Sequence, residues 1–217
     1  MALALVMRVP PRDPPALAER LSPDLRLTFA AACAQRLQSG YEEYARRALK
    51  RPMSEAARRM VSQSSRLAAT AMDEVWSGLL TGRWNRRRIE SLARKCVQAI
   101  PAQDEFVPAR HRYLEDVASA IAYALTSCLT KAAEDVSRVA WAAYETAAQI
   151  VIRREDVRYL TPAVEQRLLS DSVVQLELQR QVRDLADLAA SDPREARARR
   201  VALRLRERAR AEAWTLP

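Results

Sequence analysis

Glycine is scarce in this chain: three residues in 217. Folds that depend on many tight turns need more positions able to take positive φ, so they are excluded. No glycine-rich loop exists to cradle a phosphate. Histidine occurs once, at His111, with Tyr113 and Glu115 close behind it. A helical di-iron site needs two Glu-x-x-His units, so it is ruled out. Histidine-rich zinc sites fall with it, and a Ser-His-Asp triad has little support. The three cysteines, Cys33, Cys96 and Cys128, form no Cys-x-x-Cys pair and sit among apolar neighbours. They read as small buried hydrophobes in a reducing compartment. No stretch approaches the ~18 apolar residues needed to span a bilayer. The apolar run Met1–Met7 is short with no basic residue ahead of it, unlike a signal peptide. The expectation is a soluble, cytoplasmic protein with no membrane contact.

What is abundant is leucine, alanine, arginine and glutamate, all good helix formers. The stretch Leu114 to Val151, in the middle of the chain, is rich in apolar and small side chains and free of both proline and glycine. Leu114, Val117, Ala118, Ile121, Leu125, Cys128 and Leu129 share one helical face. After a break near Thr130, Val136, Val139, Ala140, Ala143, Ala147, Ile150 and Val151 do the same. That is period 3.6, not period two, so the spacing predicts a tight helical hairpin over 114–151.

Punctuation sets the other elements. Pro10, Pro11, Pro14 and Pro15 make residues 1–21 an extended arm. Ser22-Pro23-Asp24 starts a first helix, and Ser39-Gly40 is expected to end it, with a short second helix before Pro52. Ser54 caps a long helix closed by Gly82, and Asn85 caps the next, stopped at Pro101. Thr161-Pro162 starts a helix expected to run to about Ala190, with Val164, Leu168, Val174, Leu178, Val182, Leu185 and Leu188 spaced for burial. Asp192-Pro193 caps a final, arginine-rich helix. The recurring Glu-Asp-Val at 115–117, 134–136 and 155–157 reads as acidic first turns, because a true repeat would return whole supersecondary units. The expected architecture is all-α: a single-domain bundle of about six to seven helices at 22–191, around the 114–151 hairpin, with an arm at 1–21 and an arginine-rich helix at 192–217. The thin apolar stripe of that last helix predicts projection from the bundle.

Charge is unevenly placed. Of a net +9, the segment from Pro193 onward carries eight arginines against three glutamates. Two further basic groups lie at Arg46–Arg59 and Arg83–Lys95. Arginines can neutralise phosphates, and an exposed Trp84 could stack on a base. The nucleic-acid candidates are therefore Arg83, Trp84, Arg86, Arg87, Arg88, Arg197, Arg200 and Arg204. No helix-turn-helix signature accompanies them, and glutamates are interleaved.

Several segments, in order, resemble the YjaG family of bacterial all-helical proteins of unknown function. They are Leu27–Arg36 with Tyr41; Asp73-Glu74-Val75-Trp76; Ala99-Ile100-Pro101 with Asp104 and Phe106; Tyr113 with Asp116; and Thr161–Gln166. Together they cover roughly residues 25–190. The resemblance implies a compact single-domain helical bundle and brings no catalytic residue, cofactor or metal with it. The proline-rich arm and the arginine-rich end depart from the family pattern. From these positions a partner groove built of Asp73, Trp76, Asp104, Tyr113 and Asp116 is a candidate, although large aromatics at helical spacing are usually core. The sequence reading is a non-catalytic interaction or regulatory protein, with a protein partner or a second copy of itself. Nucleic-acid binding through the arginines is the alternative. Carboxylate chemistry around Asp73 and Asp116 is the remote third.

Overall fold

Helix α1, Pro23–Ala48, has almost no solvent face: every residue from Leu27 to Gln38 is buried. A helix apolar on all sides belongs inside a bundle. Helices α2 (Glu55–Thr81), α4 (Arg112–Thr130), α5 (Ala133–Arg154), α7 (Ser172–Ala189) and α8 (Glu195–Ala211) all pack on it. Helix α3 (Arg86–Gln98) lies on α2 and α4, and α6 (Pro162–Ser170) on α5 and α7. The computed structural model describes residues 18–100, 112–157, 159–191 and 195–214, with the side chains of 112 and 195–197 excepted. Among the described residues there are eight helices of nine residues or more and no strand. None of these helices is long and apolar enough to cross a membrane.

The α4–α5 hairpin forms as its spacing predicts. Its turn passes through Lys131 at φ 55°, with the Lys131 amide closing α4 onto the Ser127 carbonyl at 2.8 Å. Caps also fall where the sequence puts them. Ser54 and Asn85 accept from the amides of Ala57 and Arg88, and Gly82 ends α2 at φ 70°. Cys33, Cys96 and Cys128 are all buried and unpaired, and burial pushes each thiol up.

Three expectations are corrected. First, Ser39-Gly40 does not end α1. A Cβ at Gly40 would stand 2.7 Å from the Cβ and carbonyl oxygen of Trp214, so the glycine is a notch for the returning C-terminal segment. Second, the helix expected over 161–190 is broken at Asp171. That residue takes an extended conformation, accepts from the Val173 amide as the cap of α7, and pairs with Arg154 of α5. Third, the arginine-rich helix does not project. Val201, Ala202, Leu205, Ala209 and Trp214 are buried, and small residues let α8 approach α1 closely. Its thin apolar stripe is supplemented by ion pairs, which apolar periodicity does not register.

Residues 18–20 form a helical turn with Ala18 and Leu21 buried, so the arm is docked at least from there. The cap expected at Asp192-Pro193 and the stop at Pro101 lie outside the described residues.

Candidate functional site

Among the described residues, charged side chains are drawn into the bundle at two places. The larger lies where α1, α7 and α8 meet. Arg36, with no exposure at all, donates to Glu177 at 2.9 and 3.2 Å and to Asp184 at 2.6 Å. Its third direction is filled by the Cys33 sulfur at 3.4 Å. Gln181 donates to Glu177 and to the Ala140 carbonyl of α5, and Arg208 of α8 reaches the other oxygen of Asp184 at 2.6 Å. Two nearby carboxylates hold the Arg36 guanidinium charged against a large desolvation cost. Each nitrogen of the Arg36 fork has a partner, which holds the guanidinium inside the bundle, while Nε of Arg208 at the edge of the cluster finds no hydrogen-bond partner among the described residues.

Sequence reasoning missed this cluster. The expected inner stripe of α7 included Leu178 and Val182, yet both are only half-buried. The face that turns inward is Val174, Glu177, Gln181, Asp184, Leu185 and Leu188. A signal existed: Glu177, Gln181 and Asp184 stand at i, i+4, i+7. Polar residues at helical spacing are ordinarily read as a solvated face, and a buried arginine on a distant helix reverses that reading.

The second place is on the α4–α5 hairpin. Tyr113 is buried, its ring capped by the Arg153 guanidinium at 4.5 Å and met edge-on by Tyr44 at 6.1 Å. Burial, with Glu115 and Glu145 nearby, pushes the Asp116 carboxyl up to about 7 against the pull of Arg153. Among the described residues, neither the Tyr113 hydroxyl nor Oδ2 of Asp116 finds a hydrogen-bond partner. The hydroxyl of Tyr144 is in the same condition.

The five residues of the candidate groove are therefore not one surface. Trp76 is core, its indole N–H donating to Gln35 at 2.7 Å. Asp73 is exposed on α2 and ties down α8 by accepting from Arg206 at 3.1 Å, with Arg210 at 3.6 Å. Tyr113 and Asp116 do stand together, and Asp104 lies outside the described residues, as do Phe106 and His111. Among the described residues no group of His, Cys, Asp or Glu is arranged to hold a metal ion.

The basic candidates fare differently. Helix α8 runs antiparallel to α2, so that Arg206 meets Asp73 while Arg199 lies beside Gly82. The turn carrying Arg83 and the first turn of α3 thus share an end of the molecule with the early part of α8. Arg83, Arg87 and Arg200 are exposed there, Arg204 is exposed one turn further along α8, and none of the four makes an ion pair with any described residue. Arg86 pairs with Glu90 and Arg88 with Glu74. The side chain of Arg197 lies outside the described residues. Trp84 does not stand free for stacking. It lies against the bundle, and a Cβ at Gly78 would collide with its ring.

Two clefts are formed by described residues. One, of about 360 Å³, sits at this same end and is walled by α1, α2, α8 and the α4–α5 turn. The other, of about 510 Å³ and mostly apolar, runs between residues 20–25 and α7 past Leu21, Val182 and Leu185. The exposed large hydrophobics Val97, Tyr159, Leu176 and Leu203 lie on four different elements.

The fold defines an all-helical, single-domain protein. No family model and no curated protein matches the chain. Among solved structures, it is similar to the crystal structure of a DUF416 family protein from Shewanella baltica OS155, with a TM-score of 0.68. The match is 16% identical and covers 89% of this chain and 93% of that one. At such identity the likeness shows the fold alone. It is a likeness to a family whose designation marks its function as unknown.

Proposed function

We propose that this chain is a non-catalytic binding protein that docks an acidic protein partner through its arginine-bearing end. One observation carries the reading: residues far apart in sequence, Arg83 and Arg87 on one side and Arg200 with Arg204 one turn further along α8 on the other, are exposed and make no ion pair with any described residue. Arginine is favoured at protein interfaces, where its planar fork grips carboxylates bidentately. The paired Glu74, Glu90 and Asp73 around them make a mixed-charge surface, which suits a protein better than a phosphate backbone. The inward turn of Trp84 removes the stacking platform that single-stranded nucleic acid would use. The order of the sequence motifs and the fold likeness support placing the chain as a divergent YjaG-like protein.

A second reading, nucleic-acid binding, is favoured by the same exposed guanidiniums, which make no ion pair with any described residue. The two readings part in one experiment on the full chain. Light-scattering mass and the 260/280 nm absorbance ratio are measured at low and high salt, followed by anisotropy with a labelled glutamate-rich peptide. The first reading expects nucleic-acid-free protein in both salts, and peptide binding weakened about tenfold or more in R83Q/R87Q/R200Q/R204Q. Nucleic acid that co-purifies and leaves at high salt would favour the second. Peptide binding untouched by the four substitutions would overturn the first.

A further inference from the structure

The cleft at the arginine-bearing end mixes apolar walls with charged and hydroxyl groups. Its volume, about 360 Å³, lies in the range of ligand pockets, which are mostly apolar with a few placed polar groups. Leu25 of α1, Leu79 of α2, Ala202 of α8 and the ring of Trp84 give it apolar walls. Two cations line it from different elements: Lys131 from the α4–α5 turn and Arg199 from α8. Hydroxyls of Ser22 and Thr28 lie in the same wall, and the Ser22 side chain makes no capping bond to its own helix.

Lys131 is the telling residue. It stands at φ 55°, a conformation ordinarily left to glycine or asparagine at the end of a helix, and costs of order 1 kcal/mol for any other side chain. Glycine would serve the turn better, so the lysine side chain has to be accounted for otherwise. Its amine is held 3.1 Å from the Asp24 carboxylate, both groups being more than half exposed. Such a pair is weak, and a ligand anion can replace the carboxylate on the lysine. The presence of Asp24 also disfavours a multiply charged ligand.

We infer that this cleft binds a small organic monoanion, its charged group on Lys131 and Arg199 and its apolar body on Leu25, Leu79 and Trp84. This goes beyond the proposed docking of an acidic partner and stands without it, since Arg83, Arg87, Arg200 and Arg204 do not line the cleft.

The test uses 8-anilinonaphthalene-1-sulfonate, an aromatic monoanion whose fluorescence rises on binding, with benzoate and neutral benzyl alcohol as competitors. The decisive variant is Lys131→Gly, which removes the cation while relieving the backbone. Its expected result is a dissociation constant raised about tenfold with a Tm unchanged or higher. Arg199→Gln is expected to weaken the probe similarly, whereas R83Q/R87Q is expected to leave it unchanged. Benzoate is expected to displace the probe and benzyl alcohol to do so far less well. Binding of the probe by Lys131→Gly and Arg199→Gln within twofold of the parent would overturn the inference. So would equal competition by the acid and the alcohol.

Discussion

The two places where the described residues bury charge are built on different terms. Around Arg36, three helices contribute two carboxylates, an amide and a second guanidinium, and Arg36 and both carboxylates are hydrogen-bonded. Around Asp116, one hairpin contributes a carboxylate, a phenol and an arginine stacked on the phenol ring, with two polar atoms left unpaired among the described residues. Low dielectric strengthens the first cluster and penalises the second by the same physics. The first therefore fixes how α7 and α8 sit on α1, while the second is a place where protonation, water or a neighbouring group has to supply what the hairpin does not.

That contrast can be broken most severely at Arg36. Arg36→Met leaves Glu177 and Asp184 buried without their shared cation, and the expected loss is about 3–5 kcal/mol in urea unfolding. Replacing the three charges together, R36M/E177L/D184L, is expected to recover most of it, because an apolar trio needs no mutual compensation. A triple variant as unstable as Arg36→Met would show that shape, not charge, fixes the junction.

The second cluster gives a pH signature. The folded-state pKa of Asp116, about 7, stands above its ordinary 3.8, so the folded protein binds more protons than the unfolded chain between those values. Stability from this group is then fully present below about pH 4 and declines as pH rises through 7. Asp116→Asn removes the group that ionises. It is expected to match the parent near pH 4 and to exceed it by about 1–3 kcal/mol at pH 8, read from paired denaturation curves. Curves that run parallel across that window would show Asp116 to be better solvated than its burial implies.

The smallest effect comes from the rim of the first cluster. Arg208 is part-exposed and shares Asp184 with Arg36, so Asp184 keeps one cation when Arg208 is lost. Arg208→Met is expected to cost about 1 kcal/mol, and less as salt is raised. A loss approaching that of Arg36→Met would place Arg208 inside the network instead of at its edge.

Local chemistry was legible from the chain. The hairpin at 114–151, its break near Thr130, and the caps at Ser54, Asn85, Gly82 and Thr161 follow from apolar period and side-chain acceptors a few residues away. The all-α class followed too, since the needed signals are all within one helix turn. Two of the five candidate groove residues, Tyr113 and Asp116, stand together because they are i, i+3 neighbours on one helix. Asp73 and Trp76 share that spacing, but one meets α8 and the other Gln35, and no local rule assigns those partners.

What the tertiary structure decided is of a different kind. Gly40 reads locally as a helix stop, and only the return of Trp214 makes it a notch inside a continuous helix. Glu177 and Asp184 read as solvated, and only Arg36, more than a hundred residues earlier, lets them be buried. The arginines after Pro193 read as a free basic tail, yet Arg206, Arg208 and Arg210 are spent on Asp73, Asp184 and Asp187. Helix propensity and capping act over a few residues and are written in the chain. The fate of a charge depends on the sign of what packs against it, and that is settled only when distant segments meet.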